Sequence, residues 1–258
     1  MGAKSALLIY AAQDAAQTLR TRPIESGRET AESLLREIHP DWRIEPYEDV
    51  NAVELSEAVY PPEDVAYVAC FPGLQILCDR NVMTDYPSRL PQRYLDAGQG
   101  RTVILHAMHS ASDSLAFAVW KNGVLERSLS LSPHGGIAED FGDRLEFEEA
   151  YWAGEHPVRP VLGPPPGGDR YPLPFHPLAL GEAALRALVG FVIAIRREPG
   201  DVDASALPVH GFGLRDPAGP TREERDAERL ALIARMPPRR SLYLQPDGSW
   251  SETPATKR

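Results

Sequence analysis

The dipeptide Asn122-Gly123 lies between two apolar runs, Leu115 to Trp120 and Val124 to Leu131. It constrains the fold more than any other short motif in the chain. A two-residue hairpin loop needs positive φ at both central positions, and Asn-Gly accepts that at the least steric cost. The two runs are therefore expected as antiparallel neighbours. In the second run Leu125, Leu129 and Leu131 alternate with Glu126, Ser128 and Ser130, whereas Leu-Ala-Phe-Ala-Val-Trp in the first is apolar on both faces. A strand that is apolar on both faces belongs inside a sheet with helices packed over it.

Other elements follow from period and punctuation. Ser5 to Tyr10 and Thr102 to His106 read as buried strands, and Trp42 to Tyr47 as an exposed one. Ala66 to Cys70 and Leu74 to Cys78 flank a bend or hairpin at Phe71-Pro72-Gly73. Asp14 is placed to cap a short helix carrying Leu19. Ser26 and Glu29 form a capping-box pattern before the stripe Ala31, Leu34, Leu35, Ile38. Ser88 to Ala97 predicts a short helix and Leu180 to Arg197 an apolar one. Thr221 and Glu224 repeat the capping box for a helix to about Met236, followed by a small hairpin around Leu242 to Leu244 and Trp250 with a frayed end. From His156 to Pro177 inclusive, eight prolines exclude an ordinary helix or central strand, which predicts a long ordered loop burying Tyr171, Leu173 and Phe175. The expected fold is α+β: a mixed sheet with the antiparallel hairpin at its centre and helices packed on it. Residues 1–212 are expected as one globular domain, with 213–258 as a C-terminal helix and hairpin packed on it.

Charge narrows the function classes. With 27 Lys+Arg against 37 Asp+Glu the formal net charge is -10, which repels phosphate backbones, so no nucleic-acid partner is expected. Two cysteines are too few for a disulfide framework, and the opening residues lack the pattern of a secretory leader, so a cytoplasmic location is expected. The most apolar stretch, Ala183 to Ile195, is about 13 residues long where a membrane span needs roughly 20, so no membrane partner is expected either.

Several residues could carry chemistry. If the chain turns helical after His106, then His106, His109 and Asp113 share one face and could hold a divalent metal or serve a hydrolase. The competing account makes His106 a hydrogen-bonded core residue and gives His109, Ser110 and Asp113 a capping role. Cys78 would be a candidate nucleophile if a cation such as His106 stood beside it; otherwise it is a buried small hydrophobe, as is Cys70. Pro133-His134-Gly135-Gly136 reads as a plain turn, and the acidic group from Asp140 to Glu155 as a solvated face. Tyr151, Trp152, His156, Phe175 and His176 bracket the proline-rich segment, where they would line a pocket for a small ligand or a partner, or else plug the core.

Leu-His-Ala-Met-His-Ser (105–110), Phe-Ala-Val-Trp (117–120), Tyr-Trp-Ala-Gly-Glu-His-Pro (151–157), Tyr-Pro-Leu-Pro-Phe-His-Pro-Leu (171–178) and His210-Gly211-Phe212 stand out as a set. Together they resemble a family of actinobacterial proteins catalogued only as a domain of unknown function, over roughly residues 2–212. The resemblance implies a bacterial cytoplasmic protein and carries no catalytic residue or cofactor. The expected function is a non-catalytic module that binds a small molecule or a protein and needs no cofactor. The alternative is a metal-dependent or hydrolytic enzyme built on His106, His109 and Asp113.

Overall fold

The structure is a computed structural model that describes residues 3–48, 54–158, 171–235, 240–244 and 250–254. Its first half runs β1 (Lys4–Ala11), α1 (Ala15–Arg20), α2 (Arg28–Ile38), β2 (Arg43–Tyr47), α3 (Leu55–Ala58), β3 (Val65–Phe71), β4 (Leu74–Asp79) and α4 (Gln92–Asp96). Then come β5 (Thr102–His109), β6 (Ser114–Lys121), β7 (Val124–Ser132), β8 (Gly136–Phe141), α5 (Glu146–Trp152), α6 (Pro177–Leu188) and β9 (His210–Arg215). Contacts divide the chain into two units, residues 1–158 with 172–217, and residues 159–171 with 218–258.

In the first unit the nine strands form one sheet in the order β2-β9-β3-β4-β1-β5-β6-β7-β8. Both helices and strands are present, as the α+β expectation requires. Every strand pairing described is antiparallel, so the expected mixed sheet is corrected. The middle strand is β1; the β6–β7 hairpin sits toward the β8 edge and is not central. Its turn has the backbone the sequence demands, with φ of 50° at Asn122 and 79° at Gly123.

Alternation decides the layers. Ala6, Leu8 and Tyr10 of β1 join a core cluster with Ala31, Leu34, Leu35 and Ile38 of α2, so the predicted stripe is wholly buried. Each of those aliphatic side chains larger than alanine contributes about 1.5–3 kcal/mol by leaving water. On the opposite face α6 lies over β5 and β6, with α1 and α5 against it. Gly181 makes this close approach possible, because a Cβ there would stand 3.1 Å from Leu115 and Met108.

Local corrections have local causes. The N-cap of α2 is Gly27 at φ 91°, and the Glu25 carboxylate accepts the Gly27 N–H at 2.8 Å, so the expected Ser26–Glu29 box is not formed. The predicted apolar helix ends at Leu188, short of Arg197, because Gly190 turns left-handed (φ 90°) and packs against Ala16, 2.9 Å from where a Cβ would be. Pro91 splits the predicted Ser88–Ala97 helix into a 3-10 turn at Pro87–Arg89 and the short α4.

The second unit contains α7 (Arg222–Arg235), whose capping box is formed, with Thr221 N–H donating to Glu224 at 2.7 Å and Glu224 N–H to Thr221 at 3.2 Å. It also holds the antiparallel pair β10 (Arg240–Leu244) and β11 (Trp250–Pro254), so strand continues past Trp250 where fraying was expected. Most of the proline-rich segment, residues 159–170, falls outside the described residues. No helix among the described residues is long and apolar enough to cross a membrane.

Candidate functional site

Strand β5 continues through His109, which removes the helical premise for a His106/His109/Asp113 cluster. Residues three apart on a strand point to opposite faces. His106 is buried beneath α6, where its Nε2–H donates to the Gly181 carbonyl at 2.9 Å and its Nδ1 accepts from the Ser5 hydroxyl at 2.9 Å. The Ser5 oxygen in turn accepts the Met108 N–H at 3.1 Å. Both ring nitrogens are thus committed, and burial pushes the imidazole down to about 4. His109 faces the other way, its ring edge-on to Tyr60 at 5.7 Å, with Nδ1 accepting the Ala111 N–H at 3.3 Å. Asp113, in a tight turn at φ 47°, meets His176 at 3.8 Å. Among the described residues no three His, Cys, Asp or Glu side chains are grouped to hold a metal.

Cys78 is fully buried on β4, opposite Leu7 of β1, and His106 stands beyond Leu7 on β5. Two inter-strand spacings, about 10 Å, separate the pair. Burial pushes the Cys78 thiol up, with the Asp79 charge adding to it, which is the wrong direction for a nucleophile.

The rings around the proline-rich segment do come together. Tyr151 stacks on His156 at 4.2 Å, and Phe175 receives Tyr151 and Trp152 edge-on at 5.5 and 4.9 Å. Tyr151 and Phe175 are buried, Trp152 is half-buried and His156 is exposed. The Tyr151 hydroxyl donates to the Ala179 carbonyl at 2.9 Å, and Arg144 covers Trp152 at 4.4 Å. His176 instead caps α6, accepting the Leu178 N–H at 3.3 Å. The Trp152 indole N–H donates to Glu148 at 3.3 Å, and Glu148 is held by the fully buried Arg127 at 2.8 and 2.6 Å. These rings occupy one another's space as an extension of a buried ion network.

Sequence reasoning passed over a second buried polar group, on the α2 face. Asp79 ends β4 and accepts from the Asn81 backbone and side-chain N–H groups, both at 2.9 Å, and from Tyr94 at 3.4 Å. His39, the C-cap of α2, stands 4.0 Å from Asp79 and stacks on Trp42, and neither of its ring nitrogens is hydrogen-bonded. Burial pushes the Asp79 carboxyl up to about 6 and the His39 imidazole down to about 4, the latter helped by Arg93. A raised acid contributes stability below its unfolded pKa of about 3.9 that is lost as pH rises through its folded value. A lowered histidine contributes stability above about 6.5 that is lost as pH falls through its folded value. The two slopes oppose each other between pH 4 and 6. Asp79→Asn, leaving only His39, is therefore expected to gain about 2–3 kcal/mol as pH rises from 4 to 6.5. His39→Phe, leaving only Asp79, should lose a similar amount over pH 4 to 6. Urea midpoints across that range read both; parallel slopes in the two variants would refute the assignment.

A cavity bounded by described residues lies at the end of the sheet reached by the last residues of β3. It measures about 960 Å³ and is walled by α1, the segment that follows it, Phe71 and residues 197–208. Apolar lining comes from Leu19, Phe71, Val202 and Leu207, and charged lining from Arg20, Arg22, Arg197, Glu25, Asp201 and Asp203. Sequence reasoning named none of these residues as a site, since they come from residues 19–25, Phe71 and residues 197–208, which no local pattern joins. The only local signal was the turn-rich composition from Gly200 onward. Such a volume falls in the range of small-molecule sites.

A model of one protein family, described as a family of unknown function (DUF6928), matches residues 5–212. No curated protein and no solved structure matches the chain.

Proposed function

We propose for this chain, which belongs to the DUF6928 family, the role of a non-catalytic binding module that takes a small molecule in the cleft at the β3 end of the sheet. The observation that carries this reading is the 960 Å³ volume itself, with an apolar floor and a charged rim on two facing segments. Support also comes from the candidate catalytic groups: His106 is fully hydrogen-bonded, Cys78 is held as a thiol, and neither lines this cleft. The reading moves the seat away from Trp152, because Phe175 and Tyr151 fill the space beside that ring. A cytoplasmic setting suits Cys70 and Cys78, both free and buried.

The test is methyl-resolved NMR against a panel of small carboxylates, phosphates, amines and neutral alcohols. Shifts are expected at Leu19, Val202 and Leu207, and Ala206→Trp, which plants an indole at the exposed cleft wall, should abolish them. Shifts gathered around Trp152, or none in the panel, would overturn the assignment of the cleft.

A further inference from the structure

Three arginines and three carboxylates line the cleft, and Arg20 and Arg22 form no ion pair among the described residues. Each of the three carboxylates beside them has a partner, although Oε1 of Glu25 is buried without a hydrogen bond. Asp201 accepts from Arg186 at 3.0 and 3.1 Å and from the Glu198 N–H at 2.8 Å. Asp203 pairs with Arg197 at 2.6 Å and accepts from Ser205 backbone and hydroxyl at 3.1 and 2.7 Å. Glu25 accepts from the Gly27 N–H at 2.8 Å and meets His210 at 3.1 Å. Arg20 donates its Nε–H to the Gly200 carbonyl at 3.1 Å and lies within electrostatic reach of Asp201, which Arg186 already neutralises, and it forms no ion pair among the described residues. Arg22 forms no ion pair among the described residues.

Arg22 is also held in place. Its backbone stands at φ 53°, and its N–H donates to the Leu19 carbonyl at 3.0 Å, closing the last turn of α1. Guanidinium forks suit the planar oxygens of carboxylates and the oxygens of phosphates.

We infer that the ligand of this cleft is an anion, a carboxylate or a phosphate ester, gripped by Arg20 and Arg22, with an apolar body laid along Leu19, Phe71, Val202 and Leu207. The inference rests on the binding reading above and adds the ligand's charge and shape to it.

The test is calorimetric titration of the full chain with four eight-carbon probes: octanoate, octyl phosphate, octanol and octylammonium. At least one of the two anions is expected to bind roughly tenfold or more tightly than the alcohol or the amine. Which anion wins tells carboxylate from phosphate. Arg20→Gln/Arg22→Gln, at two exposed positions, should remove that preference, bringing both anions down to the affinity of octanol for the same variant. If octanol binds as tightly as both anions and Ala206→Trp abolishes all of it, the anion inference falls while the cleft remains a binding site. Failure of both anions to bind, or full anion affinity in the double variant, also overturns it.

Discussion

Replacing Arg127 by methionine is expected to destabilise the protein by about 3–5 kcal/mol, a fall in Tm on the order of 10 °C for a chain of this size. The side chains of Arg127 and Glu148 are both fully buried and meet at 2.6 Å, and Arg127 also reaches Asp140 at 2.6 Å and the Phe141 carbonyl at 2.9 Å. Taking away the guanidinium leaves the Glu148 carboxylate buried and uncompensated, which costs far more than the pair gains over an apolar replacement. It also removes a side-chain tie that adds to the backbone ladder between β7 and the edge strand β8. Exchange of the β8 amides should rise first, and the Trp152 indole should lose its ordered partner. Arg127→Met/Glu148→Leu is expected to recover most of the loss, which chemical denaturation of the three variants would measure. A single variant within about 1 kcal/mol of wild type would show that water reaches Glu148.

Gly142→Ala is the second large effect. The residue follows β8 at φ 80°, and a Cβ there would fall inside the Glu126 carbonyl, a backbone group with no rotamer to escape into. The left-handed backbone costs about 1–2 kcal/mol for any L side chain, and forced displacement of packed backbone about 1–3 kcal/mol more. A loss of about 2–5 kcal/mol is expected in total. Gly100→Ala separates the two contributions, since Gly100 has φ 75° but open space around its α-carbon. It should cost only about 1–2 kcal/mol. Equal losses at the two positions in urea titrations would mean that the clash with Glu126 relaxes at no cost.

Periodicity reported faithfully on single elements. The stripe of α2, the Asn-Gly turn and the paired runs on either side of Pro72-Gly73 are properties of a few consecutive residues, and each is found in the structure. His106 shows the limit of such reasoning. A histidine after three apolar strand residues is equally compatible with continuing the strand or turning into a helix. The pairing of β5 with β1 through His109 decides for the strand, and with it disperses the supposed metal ligands. Arg127 shows a related limit: by alternation it shares the face of Leu125, Leu129 and Leu131, and nothing local gives a cation a partner there until β8 and α5 bring Asp140 and Glu148 to it.

What the sequence determined by itself was therefore the α+β class, the buried face of α2 and the left-handed turn at Asn122-Gly123, because these follow from local sterics and from the two periods of helix and strand. The tertiary structure alone decided that β9, beginning at His210, inserts between β2 and β3, that β1 is the middle strand, and that residues 19–25 meet residues 197–208 across a cleft. Apolar alternation specifies that a face is buried but not which partner buries it. Strand order and the cleft are set by which distant segments close together, and side-chain volume and backbone pairing make that choice only in three dimensions.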